Sequence, residues 1–439
     1  MPVASPGDLW SERHVSNATV HLRPGHVQPI WAGHPWVYAQ AIARVEGAAP
    51  RVGDVVRVVD PHGHLIGRGF WSPKKAIPVR IVTRDEASLD DAGWLIDRLR
   101  AAIARRAAIG LPDATAGLRT NGFRLLHAEG DDVPGLVVDL FGVEIDRDGP
   151  HGGVAVVQVG TAGLRARAAA IVEALQATVR PRAIVDRTSA GVAQSEGFSL
   201  ESPSKLSRGD ASSVLAFEER GLAFEIPTEL GQKTGFYFDQ RPLRARVEAL
   251  SSGRRVLDTY CYVGAIALSA ARGGARSVLA IDESMPALEV AAACARNNAL
   301  QIELVRADVR RELPKLAEAG KRFDLVVLDP PKLAPTRADR DGASHYQTKL
   351  VEAAASLVDA GGLLIVCSCS TALGFPELGR CLAIGARRGG RSARILERLG
   401  QGGDHPVPAA FPEGLYLATL IAELGALPKP TAPTEGAPQ

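Results

Sequence analysis

Four aspartates that follow apolar segments in the second half of this 439-residue chain could bind a ligand. They are Asp258, Asp282, Asp308 and Asp329. Carboxylates accept hydrogen bonds from hydroxyl and amino groups, so Asp282 could bind ribose hydroxyls and Asp308 an adenine amino group. Each aspartate taken alone is also typical of a helix cap. The four together predict a binding site for a nucleoside.

The segment Asp258-Thr-Tyr-Cys-Tyr-Val-Gly264 narrows the choice of ligand. Its glycine permits a tight turn and a close approach of the backbone to a ligand. It lacks both the Gly-x-Gly-x-x-Gly fingerprint of dinucleotide-binding proteins and the Gly-Lys-Ser/Thr of a phosphate loop, which argues against a nicotinamide enzyme. A ligand with a ribose and an adenine but no phosphate is S-adenosylmethionine. The sequence therefore predicts a methyltransferase.

A rigid acidic loop and two thiols could supply the reactive groups. Asp329 precedes Pro330 and Pro331, and an Asp or Asn before Pro-Pro commonly marks methylation of a planar amine or base. Cys367 and Cys369 end a later apolar segment. A thiolate that adds to carbon 6 of a pyrimidine lets carbon 5 accept a methyl group. The alternative is that both cysteines are small buried apolar residues.

The elements that must position these residues are predicted from about Gly253 onward. Helices are expected at Ala265–Arg272 and Met285–Asn298, and strands at Arg255–Asp258, Ser277–Asp282, Glu303–Val305, Phe323–Asp329 and Gly362–Val366. Repeated strand, helix, strand patterns predict a parallel sheet covered on both faces. Ligands of such sheets bind at the carboxyl ends of the strands, where the aspartates and thiols lie.

The first half of the chain predicts two further modules. Val20–Thr83 is expected to be all-β, as in a small barrel. A mixed α+β module follows, and its predicted elements are a helix at about Leu89–Ile109, strands within Phe123–Phe141 and at Val154–Val159 and Arg182–Asp186, a turn at Asp146–Gly153 and a helix at Leu164–Val179. The segment after Leu424 is rich in Pro and Ala and is expected to be disordered.

Composition predicts a cytoplasmic globular protein. Apolar residues make up 46% of the chain and charged residues 23%. No apolar run is long enough for a membrane span, and Met1 to His14 lacks the apolar core of a signal peptide. Five cysteines without paired spacing predict neither a disulfide framework nor a metal site. Net charge is only +2, which is weak evidence for a nucleic-acid partner.

Two stretches nevertheless carry features of a nucleic-acid surface. The expected barrel interleaves aromatic and basic residues, namely Trp31, Trp36, Tyr38, Phe70, Trp71, Lys74 and Lys75. A later stretch concentrates arginines, namely Arg380, Arg387, Arg388, Arg391, Arg394 and Arg398. The alternatives are that the rings belong to the barrel core with the lysines solvated, and that the arginines lie on a solvated helix and strand edge.

The chain resembles the large-subunit ribosomal RNA methyltransferases that form 5-methylcytosine and carry an N-terminal PUA domain. The resemblance extends from about Leu22 to Glu423. Its motifs are His34-Pro-Trp-Val-Tyr38, Gly231-Gln-Lys-Thr-Gly-Phe-Tyr-Phe-Asp-Gln-Arg241, Asp258 to Gly264, Asp329-Pro-Pro-Lys332, Ser368-Cys-Ser370, Asp404-His-Pro406 and Pro412-Glu-Gly-Leu-Tyr416. It implies an α/β fold class with a PUA-like β-barrel that binds RNA (18–86), a central α+β module (87–215), a Rossmann-like class I methyltransferase domain (216–425) and a disordered tail (426–439).

The same resemblance implies roles for individual residues. Cys369 would be the nucleophile, and Asp329 would orient the cytosine through N3 and N4. Pro330, Pro331 and Lys332 would contact the substrate, and Cys367, which does not match the family position, is the second candidate thiol. The implied S-adenosylmethionine-binding residues are Tyr237, Gln240, Arg241, Asp258, Tyr260, Tyr262, Gly264, Asp282, Ser284, Asp308 and Asp329.

Departures from the family pattern leave other functions open. Lys332 stands where related enzymes outside this family have a second cysteine, Leu333 replaces an aromatic residue, and Tyr346–Leu350 keeps only the tyrosine of a more polar pattern. One alternative is a methyltransferase that acts on a base nitrogen of guanine or adenine and leaves Cys369 idle. Another is a non-catalytic RNA-binding assembly factor. The expected partner is large-subunit ribosomal RNA, and a homodimer is an open expectation.

Overall fold

The computed structural model describes residues 17–72, 76–146, 149–209, 214–230, 234–333 and 339–427. Packing divides them into two compact units. Unit 1 contains the described residues up to Phe238 together with Gly403–Gly414, and unit 2 contains Asp239–Gly402 and the described residues from Leu415 onward. None of the helices in these ranges is long and apolar enough to cross a membrane.

Unit 1 begins with a six-stranded sheet. Its elements are β1 (Thr19–Leu22), a short helix α1 (Val27–Trp31), β2 (Trp36–Val37), β3 (Ile42–Glu46), β4 (Val55–Val59), β5 (Leu65–Trp71) and β6 (Val79–Thr83). The strand order is β2-β6-β5-β4-β1-β3. The prediction of a β-rich segment is thus confirmed, with α1 as an unpredicted addition.

The aromatic residues of this sheet divide between core and surface. Phe70 and Trp71 are buried, so the structure places these two rings in the protein interior and not on a nucleic-acid surface. Trp31 is 73% exposed. Lys74 and Lys75, which contributed to the prediction, lie outside the described residues.

A mixed α+β module completes unit 1. Its elements are α2 (Gly93–Ala108), β7 (Phe123–His127), β8 (Leu136–Phe141), β9 (Glu144–Asp146), β10 (Gly149–His151), β11 (Val154–Val159), α3 (Ala162–Arg165), α4 (Ala168–Thr178), β12 (Ala183–Asp186), α5 (Ala190–Glu196), β13 (Val214–Glu219) and β14 (Leu222–Pro227). The main sheet has the order β12-β11-β8-β7. The pairs β9-β10 and β13-β14 form two separate two-stranded sheets.

Two local predictions for this module were wrong. The expected turn at Asp146–Gly153 contains the second half of the β9-β10 hairpin. The single helix expected at Leu164–Val179 is broken into α3 and α4. A continuous helix would use the Gly163 carbonyl to accept the backbone N–H of Arg167, but here the guanidinium of Arg167 donates to that carbonyl at 2.9 Å.

Unit 2 is a seven-stranded sheet with helices on both faces. Its elements are α6 (Arg241–Leu250), β15 (Arg255–Thr259), α7 (Ala265–Arg272), β16 (Ser277–Asp282), α8 (Met285–Asn297), β17 (Glu303–Arg306), α9 (Val309–Glu318), β18 (Phe323–Leu328), α10 (Arg340–Leu357), β19 (Val358–Ser368), α11 (Phe375–Arg388), β20 (Arg391–Leu399) and β21 (Ala418–Ala426). The order is β17-β16-β15-β18-β19-β21-β20. The five strands from β15 to β19 are mutually parallel, as predicted.

The last two strands close one edge of the sheet. β21 is antiparallel to both β19 and β20, so β20 runs parallel to β19 and ends on the same side of the sheet. The prediction of disorder directly after Leu424 was wrong for Gly425 and Ala426, because β20 provides them with ladder partners. Residues 428–439 lie outside the described residues.

Candidate active site at the carboxyl ends of the parallel strands

The carboxyl ends of β15 to β19 form one edge of the unit 2 sheet, called here the rim. Asp258 is the penultimate residue of β15, Asp282 ends β16 and Asp308 follows β17 at the start of α9. Asp329 directly follows β18, and Cys369 directly follows β19. The parallel arrangement therefore brings the predicted acidic residues and the predicted thiol to the same rim.

The loop between β15 and α7 has an unusual backbone. Tyr260 and Tyr262 have φ values of +59° and +50°, and Gly264 has a φ of +76°. Residues with a Cβ pay about 1–2 kcal/mol for this left-handed conformation. The carboxylate of Asp282 helps to hold it by accepting the Tyr262 N–H at 2.9 Å. A Cβ at Gly264 would lie 3.0 Å from the Cβ of Ala291, so only glycine fits there without displacement.

Asp258 is fully buried beneath this loop. One carboxyl oxygen accepts the N–H of Ala267 at 3.0 Å, in the first turn of α7. The other oxygen has no hydrogen-bond partner in the part of the chain that the structure describes. Burial, followed by the negative charges of Asp329 and Asp282, raises the pKa of Asp258 well above its usual range. A buried carboxyl oxygen without a partner is the kind of group that a bound cation or donor satisfies.

Asp282 and Asp308 differ in their local partners. Asp282 accepts from the backbone N–H groups of Tyr262 and Ser284, both at 2.9 Å, and Ser284 caps α8 by accepting the N–H of Ala287. Asp308 caps α9 and forms an ion pair with Arg310 at 2.6 Å. The hydrogen bond from Arg310 lowers the pKa of Asp308. Asp308 therefore serves as a helix cap, and its role toward an adenine stays a prediction.

Asp329 is the acid that interacts most strongly with the Cys367 thiol. Its Oδ2 accepts from Nε2 of Gln240 at 2.9 Å. Burial and the charge of Asp239 raise the pKa of Asp329 to about 7, although Gln240, Cys367 and Arg244 act in the opposite direction. A carboxyl group that is half-protonated near neutral pH can either donate or accept a hydrogen bond. Of the loop that follows, Pro330 is buried, whereas Pro331 and Lys332 are exposed.

The five cysteines differ in exposure. Cys369 is half-buried, whereas Cys261, Cys294, Cys367 and Cys381 are buried. Cys367 accepts a hydrogen bond from the hydroxyl of Thr419 at 3.4 Å. Burial, followed by the charge of Asp329, raises the pKa of the Cys367 thiol well above its usual range, so it stays protonated. Cys369 is the thiol at the rim that a substrate could reach.

The remaining motif residues are divided between the units. Gln240 and the half-buried Arg241 stand at the start of α6 in unit 2. The half-buried Tyr237 belongs to unit 1, so its role stays a prediction from the resemblance. Residues 231–233 of the same motif lie outside the described residues.

Residues to which the sequence assigned no role complete the surroundings of Asp329. The hydroxyl of Tyr416 donates to the Asp239 carboxylate at 2.7 Å, which joins the ends of the Gly231–Arg241 and Pro412–Tyr416 motifs. Buried Arg244, on the first turns of α6, lowers the pKa of Asp329. Asp239 and Tyr416 lie inside motifs of the resemblance, which is the sequence signal that could have identified them. Nothing local marked Arg244 or Thr419.

The set of groups fits S-adenosylmethionine. A cationic ligand with hydroxyl and amino donors would match a rim that offers the unpartnered oxygen of Asp258 and the carboxylates of Asp282 and Asp308. Within the described ranges, no cluster of three or more His, Cys, Asp or Glu residues could hold a metal ion.

Comparisons with known proteins give concordant results. Residues 20–84 match the family model of the PUA-like domain, and residues 172–417 match that of the S-adenosylmethionine-dependent methyltransferases. The Ribosomal RNA large subunit methyltransferase I of Photobacterium profundum is 32% identical over 402 residues, covering 91% of this chain and 97% of the relative. The protein of the same name from Shewanella frigidimarina is 34% identical over 409 residues, covering 92% and 99%.

A solved structure shares the fold over most of the chain. A putative SAM-dependent methyltransferase from Streptococcus mutans has a TM-score of 0.74 at 17% identity, covering 92% of this chain and 99% of its own. Another solved structure with the same TM-score is a putative methyltransferase complexed with SAH.

Proposed function

The chain belongs to the S-adenosylmethionine-dependent methyltransferase family, among the Ribosomal RNA large subunit methyltransferase I proteins, and from that premise we propose that it methylates carbon 5 of a cytosine in large-subunit ribosomal RNA. The substrate in this proposal comes from the relatives' names. The choice of carbon 5 is supported by one observation, which is that Cys369 is the half-buried thiol at the end of β19, beside the strand that leads to Asp329.

Asp258, Asp282 and Asp308, with Ser284 and the loop from Tyr260 to Gly264, would hold the cofactor. S-adenosylmethionine, when bound, supplies an electrophilic methyl group. The orphan oxygen of Asp258 would face its cationic part, and Asp282 would accept from the ribose hydroxyls. Gln240 has a carbonyl oxygen without a hydrogen-bond partner among the described residues, which supports its assignment, with Arg241 and Tyr237, to the methionine end.

Cys369 would act as the nucleophile. Its thiolate forms a carbon–sulfur bond with carbon 6 of the cytosine, and the electron pair of the 5,6 double bond moves so that carbon 5 can accept the methyl group. A base then takes the proton from carbon 5, the electron pair of that C–H bond re-forms the 5,6 double bond, and the carbon–sulfur bond breaks to return the thiolate of Cys369. The base must leave its stack to reach this pocket, at a cost of a few kcal/mol.

Asp329 would orient the base through N3 and N4. With a pKa of about 7, its carboxyl group can donate a proton toward N3 in the acid form, and it can accept from the N4 amino group in the ionised form. The Gln240 amide that donates to Oδ2 of Asp329 would hold the carboxyl group in place. The exposed Pro331 and Lys332 would contact the RNA on the outer side of this loop, whereas Pro330, predicted with them, is buried and would fix the loop.

Covalent trapping tests the proposal. RNA that contains 5-fluorocytosine carries fluorine where the leaving proton should be, so the Cys369 adduct cannot resolve and should accumulate as a complex that resists denaturation. Cys369→Ala should form no adduct, while the matched variant Cys367→Ala should still form it. An adduct that persists in Cys369→Ala, or that disappears in Cys367→Ala alone, would refute the assignment of the nucleophile.

Two other outcomes identify the alternatives. Methylation of guanine or adenine without any trapped adduct would indicate an enzyme that acts on a base nitrogen. Absence of S-adenosylmethionine binding in calorimetry would indicate a non-catalytic assembly factor. Bisulfite mapping of ribosomal RNA with and without the gene would locate the modified cytosine. A cytoplasmic location and a homodimer complete the proposal, and sedimentation of the purified chain tests the latter.

A further inference from the structure

An arginine-rich surface lies on α11 and on the edge strand β20. Residues 375–399 contain six arginines and two glutamates, so this short stretch has a net charge of +4, whereas the whole chain has a net charge of only +2. The excess of positive charge is therefore local. Local excess of this kind is the electrostatic mark of a surface that binds phosphates.

The structure separates the six arginines into two groups. Arg391 donates to the carbonyl of Val358 at 2.8 Å, and Arg394 forms an ion pair with Glu423 at 3.6 Å. The other four are exposed, and within the described ranges their side chains make no ion pair or hydrogen bond. These four are called the arginine face: Arg380, Arg387, Arg388 and Arg398.

Helical spacing places three of the four on one side of α11. Positions 387 and 388 lie seven and eight residues after position 380, which is about two turns of a helix. The opposite side of α11 is buried against the sheet through Leu378 and Leu382. The three arginines therefore share the solvent side, and they span roughly 12 Å along the helix at 1.5 Å per residue.

Arg398 extends this surface onto the sheet edge. Its partner in the ladder is Leu420, whose side chain packs in the same core as Leu378 and Leu382 of α11. Arg398 therefore points to the side of the sheet that α11 covers. A Cβ at Gly379, the residue before Arg380, would lie 4.0 Å from the side chain of Leu420, which is the ladder partner of Arg398. Arg380 and Arg398 therefore lie next to a pair of residues that approach each other. Arg394 has the opposite orientation, because its partner Glu423 is aligned with Leu363 of the other core.

The arginine face begins near the rim. β20 runs parallel to β19, and Arg398 is aligned through Leu420 with Val366, three residues before Cys369. Two strand spacings across and three residues along give a separation between the Cα atoms of Arg398 and Cys369 of roughly 14 Å. RNA that places a base at Cys369 would thus have neighbouring phosphates within reach of Arg398.

We propose that the arginine face binds the phosphate backbone of the RNA next to the nucleotide that enters the active site. The proposal rests on the proposed function, because it assumes that RNA is the substrate. Guanidinium groups without protein partners pay little to exchange water for phosphate oxygens, and their planar geometry suits bidentate contacts. Such contacts position the RNA and carry no base specificity. A second protein chain on this edge is disfavoured, because arginines on an edge strand oppose strand addition.

Salt-dependent binding of the full chain tests the proposal. The probe is a labelled transcript of large-subunit ribosomal RNA, titrated between 50 and 200 mM salt. The variants are Arg380→Gln with Arg398→Gln, and Arg387→Gln with Arg388→Gln. Each pair should weaken binding by roughly tenfold or more at 0.1 M salt and should reduce the slope of log K against log salt by about 1.4–1.8. Arg394→Gln is the matched control and should change neither quantity measurably.

The possible outcomes are distinct. Unchanged affinity and slope in both double variants would overturn the proposal, and so would a shift in sedimentation from dimer to monomer without a change in RNA binding. Loss of affinity in a chain that transfers no methyl group to any RNA would support the arginine face and reject the proposed function. S-adenosylmethionine binding and the melting temperature should stay at wild-type values in all variants, because the four side chains are exposed and make no ion pair or hydrogen bond with the residues that the structure describes.

Discussion

Cys367 in β19 and Asp329, the residue directly after β18, lie at the same level of the rim. Leu328 is aligned with Val366 in the ladder between β18 and β19, so the residues that follow each of them come side by side. The thiol favours ionisation of the carboxyl group, and the charge of Asp329 adds to burial in keeping the thiol protonated. Cys367 is therefore part of the environment of Asp329, while the half-buried Cys369 is left as the accessible thiol.

The raised pKa of Asp329 predicts a cost in stability above neutral pH. The pKa is about 7 in the folded chain, against about 3.9 in an unfolded one. Because the folded state binds the proton more tightly, the stabilising contribution is complete below pH 4 and is lost as the pH rises through 7. Asp329→Asn should therefore be more stable than the wild type at pH 8, by roughly 1–4 kcal/mol, and nearly equal to it only at pH 4 and below.

Scanning calorimetry of the cofactor-free chain at several pH values measures this effect, and Asp324 provides the control. Hydrogen bonds from Arg255 lower the pKa of Asp324 to about 2, so its contribution is present at neutral pH and is lost as the pH falls toward 2. Asp324→Asn should therefore lower the melting temperature at pH 8. An Asp329→Asn chain that melts below the wild type at pH 8 would contradict the raised pKa.

Thiol accessibility predicts selective alkylation. Iodoacetamide under native conditions should modify Cys369 first, because the four other cysteines are buried and reaction requires an accessible thiolate. Intact-mass measurement should show one adduct per chain before unfolding and five after it. Peptide mapping that finds Cys367 modified as rapidly as Cys369 would contradict the assigned exposures.

The local partners of Asp282 and Asp308 predict unequal effects on cofactor binding. Asp282→Asn removes a charge that holds the Tyr262 N–H and that would accept ribose hydroxyls, so S-adenosylmethionine should bind roughly 10- to 100-fold more weakly. Asp308→Asn should weaken binding less, because this carboxylate is already engaged with Arg310 and the cap of α9. Calorimetric titration of both variants with S-adenosylmethionine compares the two losses of affinity. A larger loss for Asp308→Asn would reverse the assignment of their roles.

The sequence was sufficient to predict the strands that form the rim, but not the pairing of strands at the edge of the sheet. Strands such as Ser277–Asp282 were predicted with correct limits because apolar β-branched runs are local patterns. The contact between Cys367 and Thr419 joins residues 52 positions apart through an antiparallel strand, and nothing in either segment encodes that pairing. Ladder partners at such distances depend on the whole sheet, which explains why the pairing of β21 with β19 and β20 was not predicted.

Buried charge is the second feature that sequence patterns could not provide. Arg106 is 1% exposed in unit 1, where it donates to both oxygens of Asp131 and, at 2.7 Å, to the carbonyl of Asp404. Arginine is usually found at the protein surface, so a helical arginine is predicted from the sequence to be exposed to solvent. One of the partners that satisfy its buried donors is 298 residues away in the chain. The Asp404-His-Pro406 motif therefore has a structural partner that only the folded chain reveals.

A comparison of two glycines of unit 2 distinguishes the effect of backbone strain from the effect of crowding in the loop between β15 and α7. Gly264 and Gly253 have similar φ values of +76° and +71°. A Cβ at Gly264 would meet Ala291 at 3.0 Å, whereas a Cβ at Gly253 would meet no atom within 4 Å. Replacement of either by alanine should cost about 1–2 kcal/mol in the free energy of unfolding, because left-handed backbone disfavours residues with a Cβ.

Only Gly264→Ala should also impair the site. The added methyl group pushes against Ala291 of α8, so the loop between β15 and α7 must shift away from the position in which it would hold the ligand. S-adenosylmethionine should therefore bind at least tenfold more weakly to Gly264→Ala (about 1.4 kcal/mol), while Gly253→Ala should bind as the wild type does. Calorimetric titration and thermal unfolding of both variants provide the two measurements. Wild-type affinity in Gly264→Ala would show that the loop from Asp258 to Gly264 does not contact the cofactor.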